Sequence, residues 1–309
     1  MKILVIDKMH DSITSLLGQK GFEVDYKPKI SRSEILDTVH AYDGMVVRSK
    51  TPIDKELIDK AVNLKFIARA GAGIDQLDVQ ELENKGVRIV NAPEGNRDAV
   101  GEHTIGMLLC LFNNIVQGDA QVRKGIWDRE GNRGVELMGK TVAIIGYGNM
   151  GRAFAQRLKC FGCDVLAFDK YKENYSDEYA TEATWDEIFQ KADILSLHTP
   201  LTFETKEMID SELLNKFAKD IYIINVARGE IAPFSVLEEA LKSGKLKGAL
   251  LDVLENEKLA KLTDDQKENF ENLVKRDNVL FSPHVAGWTH ESYRKINEVL
   301  TEKIAQLFE

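Results

Sequence analysis

The segment Gly146-Tyr147-Gly148-Asn149-Met150-Gly151 directly follows the apolar run 142–145 and opens a helical pattern over 152–161. In that context each glycine has a purpose. The first permits a tight turn, the second lets the main chain approach a pyrophosphate, and the third lets helix and strand pack closely, with phosphate at the helix N-terminus. Asp169 ends the next apolar run, 23 residues beyond Gly146. An acid there accepts hydrogen bonds from an adenosine ribose and disfavours the 2′-phosphate of NADP. The chemistry indicated is dinucleotide binding with a preference for NAD. Lys170 and Lys172 lie close by and leave NADP open as the alternative.

Four polar residues, Thr199, Arg228, Asp252 and His284, each follow a later apolar run. In an open parallel sheet the C-terminal strand ends line the ligand crevice, so such residues can meet around one cofactor. Arg228, in Asn225-Val226-Ala227-Arg228-Gly229-Glu230, can hold a carboxylate through two parallel hydrogen bonds. His284, in Ser282-Pro283-His284-Val285-Ala286-Gly287-Trp288-Thr289, is a natural proton donor or acceptor for an alcohol–ketone pair. Glu257 can pair with it and raise its pKa. Spacing alone does not separate these roles from ordinary strand-end structure, and Glu257 lies in an acid-rich stretch with Asp252 and Glu255.

Two further turns suit an anion. Arg69-Ala70-Gly71-Ala72-Gly73-Ile74-Asp75 follows a strand pattern, and consecutive main-chain amides in a glycine turn cradle negative charge. Arg48-Ser49-Lys50-Thr51 follows another and supplies cationic and hydroxyl donors. Together they fit a small acid, phosphorylated or not. Cys160-Phe161-Gly162-Cys163 has redox or zinc spacing but spans a helix end and a strand start, with no second pair. It reads as structural or free thiols, and no metal is expected.

The elements that must position these residues alternate. Apolar runs at 3–6, 45–47, 66–68 and 87–90 are separated by helical patterns such as 33–40 and 55–61, which reads as βαβ units and a parallel sheet. A denser series begins at Lys140, with strands expected at 142–145, 165–168, 194–197, 222–225, 249–251 and 279–281. Six strands joined by helices are what a dinucleotide-binding sheet requires. Phe154, Leu158 and Phe161 give the helix after the glycine loop one apolar face. The stretch 101–124 reads as one long helix, apolar on more than one face, suited to linking two domains or to a dimer contact. Residues 264–272 read as a solvated helix or loop, and 291–308 as an amphipathic terminal helix.

With 309 residues the chain has room for about two domains. Its 41 Lys plus Arg against 50 Asp plus Glu give a net charge of −9, which argues against a nucleic-acid surface and leaves room for a local basic pocket. The apolar run at the N-terminus is too short for a signal peptide and reads as a first strand. The longest later run, 105–112, is far short of the roughly 20 apolar residues of a membrane span. Three cysteines are too few for a disulfide scaffold. A reducing, cytoplasmic setting without membrane partners is expected.

In these motifs and their order, the chain resembles the D-isomer-specific 2-hydroxyacid dehydrogenases. The resemblance covers nearly the whole chain: 48–51, 70–75, Asn91-Ala92-Pro93-Glu94-Gly95-Asn96, Gly101-Glu102-His103, the glycine loop, His198-Thr199-Pro200-Leu201-Thr202, 225–229, Leu251-Asp252-Val253 and Pro283-His284. It implies an α/β fold of two Rossmann-like domains with parallel sheets. The flavodoxin-like substrate domain is discontinuous, from 1–97 and 285–309, and an NAD-binding domain over 98–284 is inserted into it, with catalysis in the cleft. It implies a triad of Arg228, Glu257 and His284. Gly71, Ala72 and Gly73 would hold the substrate carboxylate, and Asp252 would contact the nicotinamide carboxamide. The glycine loop (Gly146, Tyr147, Gly148, Asn149, Met150, Gly151) would hold NAD together with Asp169, Lys170, His198, Thr199, Pro200, Thr205, Val226, Ala227, Arg228, His284, Ala286 and Gly287. Substrate would also meet Arg48, Ser49 and Lys50. The implied partners are a small anionic 2-hydroxy or 2-keto acid and a second copy of the chain in a homodimer.

Within the family the nearest likeness is to members that oxidise D-3-phosphoglycerate to 3-phosphohydroxypyruvate at the start of serine synthesis, carried by 48–51 and Trp127-Asp128-Arg129. Reduction of hydroxypyruvate, glyoxylate or another 2-keto acid is the alternative, and an NADH-binding corepressor-like protein a remote one. Two departures stand out. Lys258 occupies the place of a proline after the catalytic Glu, and Gly287-Trp288-Thr289 replaces Gly-Ser-Thr beside the catalytic histidine. A chain ending at 309 stops before the regulatory domains of longer members, so serine feedback through them is not expected.

Overall fold

The protein is described by a computed structural model covering residues 1–308. β1 (Lys2–Val5), β2 (Glu23–Tyr26), β3 (Gly44–Val47), β4 (Phe66–Arg69) and β5 (Arg88–Asn91) form one parallel sheet in the order β2-β1-β3-β4-β5. This is a doubly wound, flavodoxin-like order. The central strands read as unbroken apolar runs because helices cover both faces. On one face Leu4, Met45, Val47 and Ile67 pack with Ile35, Leu57 and Leu82. On the other, Ile3, Val5, Val46 and Phe66 pack with Ile296, Leu300 and Ile304 of the helix His290–Gln306. That helix starts with a capping box in which Thr289 accepts from the Ser292 amide, and its apolar stripe brings the end of the chain back to the first sheet.

The second sheet contains β6 (Thr141–Ile145), β7 (Asp164–Phe168), β8 (Thr181–Glu182), β9 (Ile194–Leu197), β10 (Ile221–Asn225), β11 (Leu246–Leu251) and β12 (Val279–Phe281). Its order is β12-β11-β10-β9-β6-β7-β8, and every pairing is parallel. The order reverses at β6, which lies between β7 and β9, so the loop after β6 sits at the topological switch point. Two compact units result: Met1–Arg97 with the stretch from Trp288 onward, and Asp98–Gly287.

The structure departs from the sequence-based expectation at three places. β2 and β8 were not anticipated; both are edge strands, and neither carries the continuous apolar run of a central strand. The expected single helix 101–124 is two helices, Pro93–Phe112 and Ile115–Arg123, because Asn114 adopts a left-handed conformation (φ 50°) that ends the helical hydrogen-bonding register. The expected burial on several sides gives way to one buried face in the first helix, where Met107, Leu108 and Phe112 are buried while Glu102 and Gly106 are exposed, and in the second Ile115, Val116 and Val122 are exposed. Among the described residues no single helix is long and apolar enough to cross a membrane.

Candidate active site

The glycine loop lies between β6 and the helix Asn149–Leu158. Gly146 has φ 92°, and a Cβ there would stand 2.8 Å from the His198 carbonyl oxygen, so only glycine lets β6 turn against the end of β9. Gly148, the N-cap, has nothing within 4 Å of where a Cβ would stand. The main chain is therefore open to a ligand in front of helix amides that lack internal partners. Tyr147 is buried; its hydroxyl donates to Asp177 at 2.8 Å, and Arg152 Nε donates to the same carboxylate at 2.7 Å.

Asp169, at the end of β7, accepts from the amides of Tyr147 (3.0 Å) and Tyr171 (3.1 Å). Lys170 pairs with Glu204, and Lys172 Nζ donates to the Tyr147 carbonyl at 2.6 Å. His198, just past β9, bonds Ser196 Oγ through Nε2 at 2.8 Å, and burial pushes its pKa down to about 3, so the ring is neutral. Among the described residues His198 Nδ1 and Thr199 Oγ1 are buried without a partner. Polar atoms of that kind are open to a partner, a ligand or a water. The open Gly148 and the aspartate at the ribose position complete a fit to a nicotinamide dinucleotide. Thr205 Oγ1 donates to the Pro200 carbonyl at 2.7 Å and shapes the turn after β9.

Two members of the expected triad meet in the second unit, with Arg228 near enough for its charge to act on the histidine. His284 Nδ1 lies 2.7 Å from Glu257 Oε1. Glu257 raises the histidine pKa above its ordinary 6.5, while burial and the charge of nearby Arg228 oppose the rise. His284 is left-handed (φ 54°), a strained state for a non-glycine residue, held by its amide donating to the Asp252 carbonyl at 2.7 Å. Arg228 follows β10 on a turn shaped by buried Asn225, whose Oδ1 accepts from the Ala227 amide (3.1 Å) and whose Nδ2 donates to the Arg228 carbonyl (2.9 Å). Val226 and Ala227 lie within that turn.

Asp252 carries the loop bearing the histidine. Its Oδ1 accepts from Ser282 Oγ (2.5 Å) and the Val285 amide (2.9 Å), and Oδ2 from the Ala286 amide (3.0 Å). His103 Nε2 lies 3.6 Å from Oδ1. Burial favours the neutral acid, but the bonds from His103, Ser282, Ala286 and Val285 outweigh it and hold the carboxyl below its ordinary range. These bonds keep 285–287 with the second unit. Sequence reasoning did not assign His103 or Ser282 a role; no local spacing links residues 179 positions apart.

In the first unit the turn at Gly71, Ala72 and Gly73 is pinned by Asn91 Nδ2 donating to the Ala72 carbonyl (2.6 Å) and by the Ala92 amide donating to Gly71 (2.9 Å). Of the three amides expected to cradle the carboxylate, that of Gly71 donates to the Arg69 carbonyl instead (2.9 Å), while among the described residues neither the Ala72 nor the Gly73 amide donates to the main chain. The turn 48–50 is held by buried Asp7, which accepts from the amides of Arg48 (2.7 Å) and Lys50 (3.2 Å). Ser49 is exposed. The Arg48 guanidinium sits 3.9 Å over the Trp288 ring and 5.0 Å from Tyr293. Lys50 Nζ donates to the carbonyls of Pro28 (3.2 Å) and Ile30 (2.8 Å). Cys160 and Cys163 are free, and burial pushes the Cys163 thiol up to about 11, which keeps it protonated and a poor nucleophile.

Comparison with known proteins accords with this geometry. Residues 105–286 match the family described as D-isomer specific 2-hydroxyacid dehydrogenase, NAD binding domain. The chain is 36% identical over 310 residues to D-3-phosphoglycerate dehydrogenase of Methanocaldococcus jannaschii, covering 99% of this chain but only 57% of that enzyme. It is 33% identical over 303 residues to hydroxypyruvate reductase of Thermotoga maritima, covering 98% and 97% of the two chains. Among solved structures, an acyclic imino acid reductase (Bsp5) in complex with NADPH and D-Arg superposes with a TM-score of 0.85 at 28% identity, covering 99% and 97%. The matched cofactor domain, the glycine loop at its switch point and the similarity along the whole chain lead to one conclusion: this protein belongs to the D-isomer-specific 2-hydroxyacid dehydrogenase family.

Proposed function

We propose that the protein is an NAD-dependent dehydrogenase that interconverts a D-2-hydroxy acid and its 2-keto acid, with D-3-phosphoglycerate and 3-phosphohydroxypyruvate as the pair. The observation that carries the reading is the 2.7 Å bond between His284 and Glu257, on the sheet that also bears the glycine loop. When bound, the nicotinamide supplies the hydride acceptor or donor. The protein supplies charge and proton transfer. With Nδ1 engaged by Glu257, Nε2 of His284 takes the hydroxyl proton in oxidation, and the imidazolium returns it in reduction. Arg228 binds the substrate carboxylate through its guanidinium fork and polarises the C2 oxygen. The amides of Ala72 and Gly73 add donors to the carboxylate, the Gly71 amide being taken by the Arg69 carbonyl, and Asp252 positions His284.

The chain spans about half the length (57%) of the phosphoglycerate dehydrogenase it matches, so the substrate assignment rests on motifs within the shared part. Arg48 and Ser49 would meet the phosphate. A second reading, reduction of unphosphorylated hydroxypyruvate or glyoxylate, is favoured by Lys50, whose ammonium is engaged by two main-chain carbonyls. Turnover of NADH with phosphohydroxypyruvate, hydroxypyruvate and glyoxylate separates the two. A clear preference for the phosphorylated acid supports the first reading, and equal or better use of hydroxypyruvate supports the second. No turnover with any 2-keto acid would sink the dehydrogenase assignment. We further propose a homodimer through the exposed apolar residues Ile115, Val116, Val122, Ile126 and Trp127, to be read by sedimentation. The free cysteines accord with a reducing compartment.

A further inference from the structure

The turn after β9 is tied to the turn after β7 by one side chain. Glu204 pairs through Oε1 with the Lys170 ammonium and accepts through Oε2 from the Tyr171 hydroxyl at 2.5 Å. Lys170 and Tyr171 immediately follow Asp169, the acid at the ribose position. The other cation of that turn, Lys172, donates to the Tyr147 carbonyl at 2.6 Å. Both lysines that the sequence places beside the ribose are therefore satisfied by protein acceptors, one of them by a full negative charge. A 2′-phosphate carries up to two charges and needs free cationic donors. Here it would meet the carboxylates of Asp169 and Glu204 with Lys170 already neutralised.

We propose that Glu204 is a specificity-determining residue that excludes the 2′-phosphate of NADP by sequestering Lys170. This deepens the proposed use of NAD and rests on the dinucleotide assignment of the glycine loop. It answers a question the family leaves to each member, since one structural relative binds NADPH. Lys170 and Glu204 are both partly exposed, so the effect is moderate and salt-dependent.

The test is equilibrium binding of NADH and NADPH, read by nicotinamide fluorescence at low and moderate salt. It uses the whole protein, Glu204→Gln, and the double variant Glu204→Gln/Lys170→Gln. Glu204→Gln should tighten NADPH binding by roughly three- to ten-fold, more at low salt, with NADH affinity within about two-fold. Replacing Lys170 as well should remove that gain. A merely structural role for Glu204 would weaken both nucleotides together and leave their ratio unchanged. An unchanged NADH-to-NADPH ratio in Glu204→Gln, or a gain that survives loss of Lys170, overturns the inference while leaving the cofactor assignment intact. Failure of the wild-type protein to bind either nucleotide overturns the cofactor assignment itself.

Discussion

Each unit contains a buried aspartate just past a strand end that gathers the loop of the neighbouring strand, and the two do so with different strength. Asp7, after β1, accepts from the amides of Arg48 and Lys50 beyond β3. Asp252, after β11, accepts from Ser282, Val285 and Ala286 beyond β12 and has His103 beside it. The first loop presents long cationic side chains whose heads find their own supports, Trp288 for Arg48 and main-chain carbonyls for Lys50. The second must keep a histidine backbone in a left-handed conformation with its ring on Glu257. On the proposed role of His284 in proton transfer, misplacement would lose rate steeply, and the denser anchoring sits at that residue.

His284→Ala should lower turnover by about 10²- to 10⁴-fold while NADH affinity, followed by fluorescence, is mostly kept. Wild-type turnover in that variant would remove the histidine from the chemistry. Asp252→Ala strands several buried donors and should cost about 3 kcal/mol or more, whereas Asp7→Ala, with fewer donors, should cost roughly 1–2 kcal/mol. Urea unfolding measures both, and an equal or reversed order would refute the difference in anchoring.

The pH dependence sharpens the second region. Because Glu257 raises the His284 pKa, the imidazolium persists above 6.5 in the folded protein. The stability it contributes is complete below the unfolded value, about 6.5, and is lost as pH rises through the folded value. Keto-acid reduction, which needs the proton, should fall through that same folded value. Glu257→Gln should move the fall to lower pH, and an unmoved profile would show that Glu257 does not set the histidine. The smallest effect belongs to the first region. Trp288→Ala removes an exposed cation–π contact of about 0.5–1 kcal/mol and should change the preference between phosphorylated and unphosphorylated keto acids by a few-fold. No change in that ratio would separate Arg48 from substrate selection.

Much of the candidate site was legible because its signals are local. The glycine loop announces itself through strand, spacing and helix over a few residues, and Gly146 is confined to glycine by the turn it makes. The central strands were legible as apolar runs. The edge strands β2 and β8 were not, since a short strand exposed on one side has little pattern to read. The break at Asn114 was hidden because apolar residues continue on both sides of it. Asp7, Asn225, Ser282 and His103 lay outside the site predicted from sequence for a different reason. Their work is done on partners brought to them by the fold, and the ordinary polar residue types carry no mark of it.

What the sequence determined by itself is the class of chemistry: a glycine loop of dinucleotide type followed by an acid at the spacing of a ribose ligand, an arginine and a histidine at strand ends, and alternation that reads as parallel sheets. These follow from covalent connectivity, side-chain period and backbone freedom, all short-range properties. Tertiary structure alone decided which charges are available. Lys170 and Lys172 stand beside the ribose acid in the chain, yet the fold gives one to Glu204 and the other to the Tyr147 carbonyl. The pairing of Glu257 with His284 was implied by the family resemblance and not by spacing, and folding places the two atoms 2.7 Å apart. Electrostatic interaction depends on distance and burial, and neither is a property of position along the chain.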